Sequence, residues 1–367
     1  MSDHTVDLII FAIVLGLRLL VPLLIPRFPL PAEIAAMLLD AADQTIYQKF
    51  TSLDLTGYQG YDKALDIYYL SVIYLSTMRN WRHLVAFKVS RFLYFYRLVG
   101  VMLFEMTQVR ALLLIFPNTF EYFFVFYGTV RLRWNPLRMS KRLVIGAAAA
   151  IWIFIKLPQE WWIHIAQLDT TDLIKEYPIG AVIVAIVAVV AFYIAYRVIK
   201  PKCPPPDWSW RIDADADEPD LTPPQVETAR RTMMSRLWTE QLLEKTVMLA
   251  LVCGIFGQVL PDVDASNLDI AIGVAVVLII NTVVSEFLTR RGVDWRSVFT
   301  QFVAMAAINA GIAVAFYYLL RSADDSIHLG STLFFLLLIT LVVTLYDRYR
   351  PFSLARFGEE QSLRKGV

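Results

Sequence analysis

Two apolar stretches of the chain, residues 84–106 and 111–130, contain charged side chains that are costly in an apolar environment. Arg97 falls near the middle of the first stretch and Glu121 near the middle of the second. An ionised group at the centre of a membrane span costs about 2.5 to 3.5 kcal/mol, so both groups are expected to face protein, water or each other. Glu105 lies about 80° from Arg97 around a helix and shares its face. The pattern predicts a polar interior within an apolar bundle.

Arg18, in an earlier apolar stretch, and Asp66, in the next one, extend this polar set at comparable depth. Guanidinium groups bind phosphate through charge-assisted hydrogen bonds, so Arg18 and Arg97 are candidates for binding an anionic headgroup. Glu105, Glu121 and Asp66 would then balance charge or carry protons. In the competing interpretation, the same charges form buried ion pairs that hold the helices together. The spacing alone leaves both interpretations open.

A second candidate chemistry centres on Asp62 and Asp66, which are four residues apart and share a helix face. Paired carboxylates can hold Mg²⁺ or Mn²⁺ on a phosphate substrate, or act as a general base. Asp is also common in the first turn of a helix, where the dipole favours it. The two residues are therefore candidate catalytic residues only for a transferase. The spacing of the cysteines matches no metal site, and the sequence names no cofactor.

Composition indicates that these residues belong to a membrane protein. Of the 367 residues, 57% are hydrophobic and 18% are charged, whereas about a quarter of a soluble domain is charged. Because a membrane-crossing helix needs about 20 mostly apolar residues, the sequence predicts an all-α polytopic bundle of about ten spans. The predicted spans are residues 6–25, 63–78, 84–106, 111–130, 143–161, 179–199, 244–260, 268–288, 298–320 and 332–346.

Basic residues indicate the orientation of this bundle. Their strongest cluster, at residues 131–142, lies between the fourth and fifth predicted spans, and short loops rich in Lys and Arg stay cytoplasmic. Alternating from that loop puts the other basic clusters and both termini in the cytoplasm. The long loop before residue 63 is then outside. There Ile34, Leu38, Ala42 and Ile46 recur every four residues, which predicts an amphipathic helix on the outer membrane surface.

A segment rich in proline and aspartate divides the chain. Residues 201–230 are predicted to be a cytoplasmic linker, because such a composition buries too little apolar surface to fold alone. The linker separates a six-span half, residues 1–200, from a four-span half, residues 231–350. Residues 351–367 form a predicted cytoplasmic tail.

Two details of the predicted spans concern single residues. Pro117 in the fourth span cannot continue the backbone hydrogen-bond ladder, which predicts either a kink lined by neighbouring polar groups or a plain proline kink packed against its neighbours. Asn281 and Asn309 fall near the centres of the eighth and ninth spans, where amides are expected to bond to each other across helices.

Three hypotheses for function follow. The first is transport or flipping of an anionic or lipid-linked small substrate through an outward-facing polar cavity. The second is a membrane-embedded transferase acting on a polyprenyl or phospholipid phosphate, and the acidic outer loop with its amphipathic helix resembles polyprenyl-phosphate-dependent membrane glycosyltransferases in layout but not in motifs. The third is a non-catalytic scaffold or accessory subunit for envelope assembly. All three place the protein in the lipid bilayer of a bacterial plasma membrane, and a net charge of +1 gives no field for nucleic acid.

Overall fold

The computed structural model describes residues 3–52, 58–168, 176–212, 221–234, 240–259, 273–281, 283, 298–320 and 329–364. All regular secondary structure in these residues is helical, which confirms the all-α class. By length and composition, three helical segments can cross a membrane: Thr5–Leu24, Ala111–Arg131 and Lys141–Ile165. The structure is thus compatible with membrane insertion, but it does not confirm ten spans. Part of the predicted eighth span lies outside the described residues, as do residues 213–220 of the predicted linker.

The helices follow one another in a simple order. They are α1 (Asp3–Leu20), α2 (Pro29–Phe50), α3 (Tyr58–Asn80), α4 (Leu84–Thr107), α5 (Ala111–Ile115), α6 (Thr119–Arg131), α7 (Lys141–Ala150), α8 (Leu157–Glu160), α9 (Pro178–Ile199), α10 (Pro223–Met234), α11 (Glu240–Val259), α12 (Val298–Leu320) and α13 (Leu329–Arg364). Wider π turns at Ile151–Lys156 and Trp161–Ile165 flank α8, so residues 141–165 run on as helix without a loop.

Local sequence sets several helix ends near the charged residues. Pro29 occupies the first turn of α2, where its missing N–H is not needed. His83 precedes α4, and its ring Nδ1 accepts the backbone N–H of Ala86 at 3.1 Å, as a helix cap does. Gln108 ends α4 in the left-handed conformation with φ 56°. These ends border the connections from α1 to α2, from α3 to α4 and from α4 to α5.

The second helix returns alongside the first. Ser52, just after α2, donates its backbone N–H to Asp7 near the start of α1 at 3.3 Å. Arg18, near the end of α1, lies 2.7 Å from Asp40 within α2. The two helices are therefore antiparallel neighbours along most of the first span. The predicted amphipathic helix exists, and it packs beside the membrane-compatible α1.

The faces of α2 show which side meets the bundle. Glu33 and Asp43 are buried, at 0% and 1% exposure, whereas Ile34 and Leu38 of the predicted apolar stripe are 43% and 65% exposed. Around Ile34 and Leu38 the outer face of α2 is therefore apolar while acidic residues face inward, which suits contact with lipid in this part of the helix. The acidic residues of α2 consequently point toward α1, α3 and α6, with which it packs.

One end of the bundle collects arginines. Arg79 at the end of α3 donates to the carbonyl of Pro26, between α1 and α2, and Arg356 of α13 donates to the Trp81 carbonyl at 2.7 Å. A groove at the same end is lined by Trp81 and Arg131 among others. We call this the basic end; its residues are Arg79, Arg131, Arg138 and Arg356.

Part of the predicted linker packs on the basic end. Asp207 pairs with Arg138, and the carbonyl of Pro204 accepts the Trp134 indole N–H at 2.9 Å. A backbone N–H bond from Asn135, together with Arg138, lowers the pKa of Asp207 below its ordinary value. The loop after α6 and the start of the linker therefore lie on the same side of the protein, as the distribution of basic residues predicts.

The two predicted halves meet around one buried glutamate. Glu244 of α11 accepts the Tyr74 hydroxyl of α3 and lies 3.3 Å from Arg91 of α4 and 3.1 Å from Arg350 of α13. Its side chain is 1% exposed. The ion pairs connect α11 and α13 of the second half with α3 and α4 of the first.

The predicted amide contact in the second half is confirmed. Asn309 of α12 donates to the side-chain oxygen of Asn281 at 3.1 Å and also reaches the hydroxyl of Thr340 in α13 at 2.8 Å. Both amides are buried, at 2% and 3% exposure. The contact joins three helical segments and offers no free group for a ligand, so we assign it a structural role.

Candidate functional site

The densest group of charged side chains lies where α1, α2 and α3 meet. Each of α2 and α3 contributes two carboxylates three or four residues apart, which places each pair on one helix face. Arg18 reaches in from α1. We call this group the aspartate cluster, and its members are Arg18, Asp40, Asp43, Asp62, Lys63 and Asp66.

Arg18 stands at the centre of the cluster and is only 4% exposed. Its guanidinium pairs with Asp43 and lies 2.7 Å from Asp40. It also lies 3.6 Å from Asp62 and 3.5 Å from Asp66. The structure thus joins Arg18, Asp62 and Asp66, which the sequence predicted to be a candidate anion ligand and two candidate catalytic residues. Because carboxylates surround Arg18, its charge is already engaged within the protein.

The cluster carries more negative charge than it neutralises. Within the cluster itself four carboxylates face two cations, Arg18 and Lys63, so its formal charge is −2 when every group is ionised. Asp43 and Asp66 are well shielded, at 1% and 15% side-chain exposure. Buried charge in excess is unfavourable unless protons or a cation balance it.

Three of the carboxylates have the geometry of a metal ligand set. One oxygen each from Asp40, Asp62 and Asp66 lie within 4.8 Å of one another. The Oδ1 atom of Asp40 is buried and touches Arg18 without the geometry of a hydrogen bond. A site made only of carboxylate oxygens suits Mg²⁺ or Mn²⁺ rather than a soft metal. The excess of two negative charges matches one divalent cation.

A break in the helix that follows α4 creates a second polar region. α5 ends at Ile115 and α6 begins at Thr119, with Pro117 and Asn118 between them. The predicted kink at Pro117 is thus a full interruption of the helix, since Pro117 lacks the N–H that a continuous helix requires. Gly100 of α4 lies against Phe116 so closely that a β-carbon at that position would overlap the Phe116 side chain. The missing side chain lets α4 approach the break.

Side chains bind the backbone groups that the break frees. Arg97, which is 3% exposed, donates to the Phe116 carbonyl at 2.9 Å, and Glu160 accepts the Asn118 backbone N–H at 3.1 Å. Glu160 also lies 4.0 Å from Arg97 and 3.0 Å from the ring of His164. Among the described residues, Arg97 therefore pairs with Glu160 and not with Glu121. Glu160, near the end of the predicted fifth span, is buried.

Glu121 belongs to a neighbouring layer of polar side chains. It accepts the Tyr69 hydroxyl at 2.7 Å and the Asn118 amide at 2.9 Å. Glu33 of α2 is close enough for the two carboxyl groups to repel each other, and Lys156 is buried nearby at 3% exposure. We call this group the glutamate layer: Glu33, Tyr69, Asn118, Glu121 and Lys156.

Glu105 lies apart from both groups. It is 7% exposed near the end of α4, its Oε1 accepts no hydrogen bond, and its charge interacts with Lys63 of the aspartate cluster. The five predicted polar residues thus separate into Arg18 and Asp66 in the aspartate cluster, Arg97 at the break, Glu121 in the glutamate layer and Glu105 beside Lys63.

The chain matches no protein-family model, no curated protein and no solved structure. Function is therefore inferred from the chemistry of the aspartate cluster and the glutamate layer.

Proposed function

We propose that this protein is a membrane-embedded transferase that acts on a lipid-linked phosphate and holds a divalent cation in the aspartate cluster. The observation that carries this proposal is the convergence of Asp40, Asp62 and Asp66, whose oxygens lie within 4.8 Å of one another. The formal charge of −2 in this largely buried group favours the binding of such a cation. A carboxylate-bound Mg²⁺ or Mn²⁺ commonly binds and neutralises phosphate oxygens.

The residues of the aspartate cluster have different proposed roles. Asp40, Asp62 and Asp66 are the candidate cation ligands, and one of the last two is the candidate general base. Asp43, at 1% exposure, holds Arg18 in place, and Arg18 in turn orients the other carboxylates. Arg18 is thus a positioning residue here, in contrast to the anion ligand that the sequence suggested.

The surroundings of the cluster support a substrate with a hydrocarbon chain. Leu17 and Leu20 of α1 are 41% and 64% exposed, and Leu38 of α2 is 65% exposed. These apolar side chains cover the outer surface of the same two helices that carry Arg18 and Asp40. A polyprenyl or phospholipid chain in the bilayer would pack on this surface while its phosphate reaches the cluster.

The antiparallel pairing of α1 and α2 supports a revised topology in the plasma membrane. If α1 crosses the membrane, α2 beside it crosses back, and the connection at Pro26 lies at the basic end. Basic clusters stay cytoplasmic, so the N-terminus lies outside the cytoplasm in this topology. The alternative is the sequence-based topology, in which α2 does not cross and the N-terminus is cytoplasmic. With α2 as an additional span, the predicted total rises by one.

Transport or flipping of a similar lipid-linked anion is the second candidate function. It is favoured by the break at Pro117, because interrupted helices inside membranes line the binding sites of many transporters. Under this alternative the break and the glutamate layer, instead of the aspartate cluster, would bind the substrate. The two candidates therefore assign the phosphate to different residues.

The transferase proposal is tested by Mn²⁺ binding to the purified full-length protein in detergent. We expect one Mn²⁺ per chain, with the affinity reduced about tenfold or more by Asp66→Asn and by Asp40→Asn, since each removes a charged ligand. Asp7→Asn is the matched control, because Asp7 is a buried aspartate of the same helix pair that bonds to Ser52 outside the cluster. Equal Mn²⁺ binding by all four proteins, or none by wild type, would contradict the proposal.

Asp66→Asn, compared with Asn118→Ala at the break, separates the two functions. Stabilisation of the protein by phospholipid or polyprenyl phosphate in the presence of Mn²⁺ should be lost in Asp66→Asn under the transferase proposal. Retention of lipid stabilisation in Asp66→Asn, with its loss in Asn118→Ala at the break, would support transport instead.

A further inference from the structure

Glu33 is a buried carboxyl group that receives no hydrogen bond. Its exposure is 0%, and neither side-chain oxygen has a hydrogen-bond partner. The neighbouring carboxyl group, Glu121, has both oxygens occupied, by the Tyr69 hydroxyl at 2.7 Å and the Asn118 amide at 2.9 Å. Donors thus stabilise a negative charge on Glu121 but not on Glu33. An ionised carboxylate buried without a donor is far more costly than a neutral acid.

The charged groups around Glu33 and Glu121 can be counted. Lys156 and Arg97 are cations that act on Glu121, and Asp66 is a carboxylate that acts on it. Glu160 interacts with the same two cations. Glu160 is engaged by Arg97, His164 and the Asn118 backbone N–H. Asp66 belongs to the aspartate cluster.

With Asp66 assigned to that cluster, Glu33, Glu121 and Glu160 face Lys156 and Arg97 within the described residues, and His164 beside Glu160 adds a positive charge only when it is protonated. If His164 is neutral, one positive charge is missing when all three glutamates are ionised. No other element packed on Glu33 is seen to supply that charge in the described part of the chain.

We propose that Glu33 holds an exchangeable proton and that Glu33 and Glu121 together form a proton-binding site inside the bundle. The proton resides on a carboxyl oxygen of Glu33, and Glu121 keeps its negative charge through Tyr69 and Asn118. Release breaks the O–H bond of Glu33, passes the proton to water and leaves two carboxylates facing each other. Each oxygen of Glu33 is free to donate or accept, which is what proton exchange requires.

The site does not depend on the aspartate cluster or on the transferase proposal. It uses α2, α3 and α6 and needs no divalent cation. A proton bound at this depth would give the protein a response to pH whether it acts as a transferase or as a transporter.

The test compares the pH dependence of unfolding for wild type and Glu33→Gln, measured as an unfolding equilibrium in mixed micelles. An ordinary glutamate loses its proton near pH 4.3. The folded wild type keeps this proton while the unfolded chain releases it, so the folded state binds one more proton above that pH. Its folding equilibrium constant should therefore fall about tenfold for each pH unit, which is about 1.4 kcal/mol.

The glutamine side chain of the variant carries no titratable proton, so Glu33→Gln should lose that slope and be more stable than wild type at neutral pH. Glu227→Gln, which removes an exposed carboxylate of α10 paired with Arg231, is the control and should keep the wild-type slope. Equal slopes in wild type and Glu33→Gln would overturn the proposal. So would stabilisation of wild type by Na⁺ at constant pH that Glu33→Gln abolishes, because the missing charge would then be a metal cation.

A second readout needs no variant. The carbonyl stretch of a protonated, buried glutamic acid should be present in the infrared spectrum of the wild type at neutral pH and should shift when glutamate is labelled with ¹³C. Absence of such a band would overturn the assignment even if Glu33→Gln failed to fold.

Discussion

Replacing Arg18 by methionine tests whether its charge balances the aspartate cluster. Arg18 contacts all four carboxylates of the cluster and is 4% exposed, so the change leaves those groups with only Lys63 as a cation. Removing one member of a buried ion pair costs about 3 to 5 kcal/mol. Because Asp40 is 34% exposed and water screens part of the repulsion, we expect about 3 kcal/mol of destabilisation.

The assay is the free energy of unfolding of wild type, Arg18→Met, Asp43→Asn and the double variant in detergent. The double variant should recover part of the loss, because Asp43 is the most buried partner and neutralising it removes one of the uncompensated charges. Mn²⁺ should stabilise Arg18→Met more than wild type, since it supplies the lost positive charge. The reasoning would be refuted if Arg18→Met were as stable as wild type and the double variant lost no more stability than Asp43→Asn alone. Arg18 would then return to the role of a free anion ligand.

Two further predictions concern the packing of the break and the topology. Gly100→Ala should be destabilised by about 1 to 3 kcal/mol, because the added β-carbon would overlap Phe116. The control is Gly146→Ala, which has open space around it and should gain up to about 1 kcal/mol of helix stability. Equal unfolding free energies for the two variants would contradict the described contact. In a background without native cysteines, a cysteine replacing Phe28 should react with an impermeant thiol reagent from the same side as one in the residue 131–142 loop, and a cysteine replacing Thr5 from the opposite side. The reverse pattern would show that α2 does not cross the membrane.

The sequence was sufficient where one residue type dictates a local consequence. Pro117 cannot donate an N–H, and the break occurs there. Asn281 and Asn309 are polar groups at the centre of apolar spans, and they bond to each other. Their comparable depth in the predicted spans also grouped Arg18 with Asp66, and the two side chains are 3.5 Å apart in the structure.

The partners of the charged residues were harder to predict, because they depend on how each helix is rotated. A helix that is apolar on most of its surface gives no periodic signal for its rotation. Arg97 and Glu121 were expected to face protein, water or each other, and in the structure Arg97 pairs with Glu160 near the end of the predicted fifth span. The role of Glu244 was missed for the same reason, since its arginine partners come from helices far apart in sequence.

One available signal was not used for α2. Glu33, Asp40 and Asp43 are spaced by seven and three residues, so they fall on one face of a helix. An acidic face opposite an apolar stripe would have predicted a helix whose polar side points into the bundle. Only the antiparallel packing on α1 reveals that this face meets Arg18.

The central claim is that the aspartate cluster binds a divalent cation, and anomalous diffraction from crystals grown with Mn²⁺ tests it most directly. We predict an anomalous peak among Asp40, Asp62 and Asp66, about 2.0 to 2.3 Å from one oxygen of each, and no such peak in Asp66→Asn crystals. A map in which Mn²⁺ occupies only surface carboxylates, with the cluster held together by Arg18 and Lys63 alone, would contradict the claim.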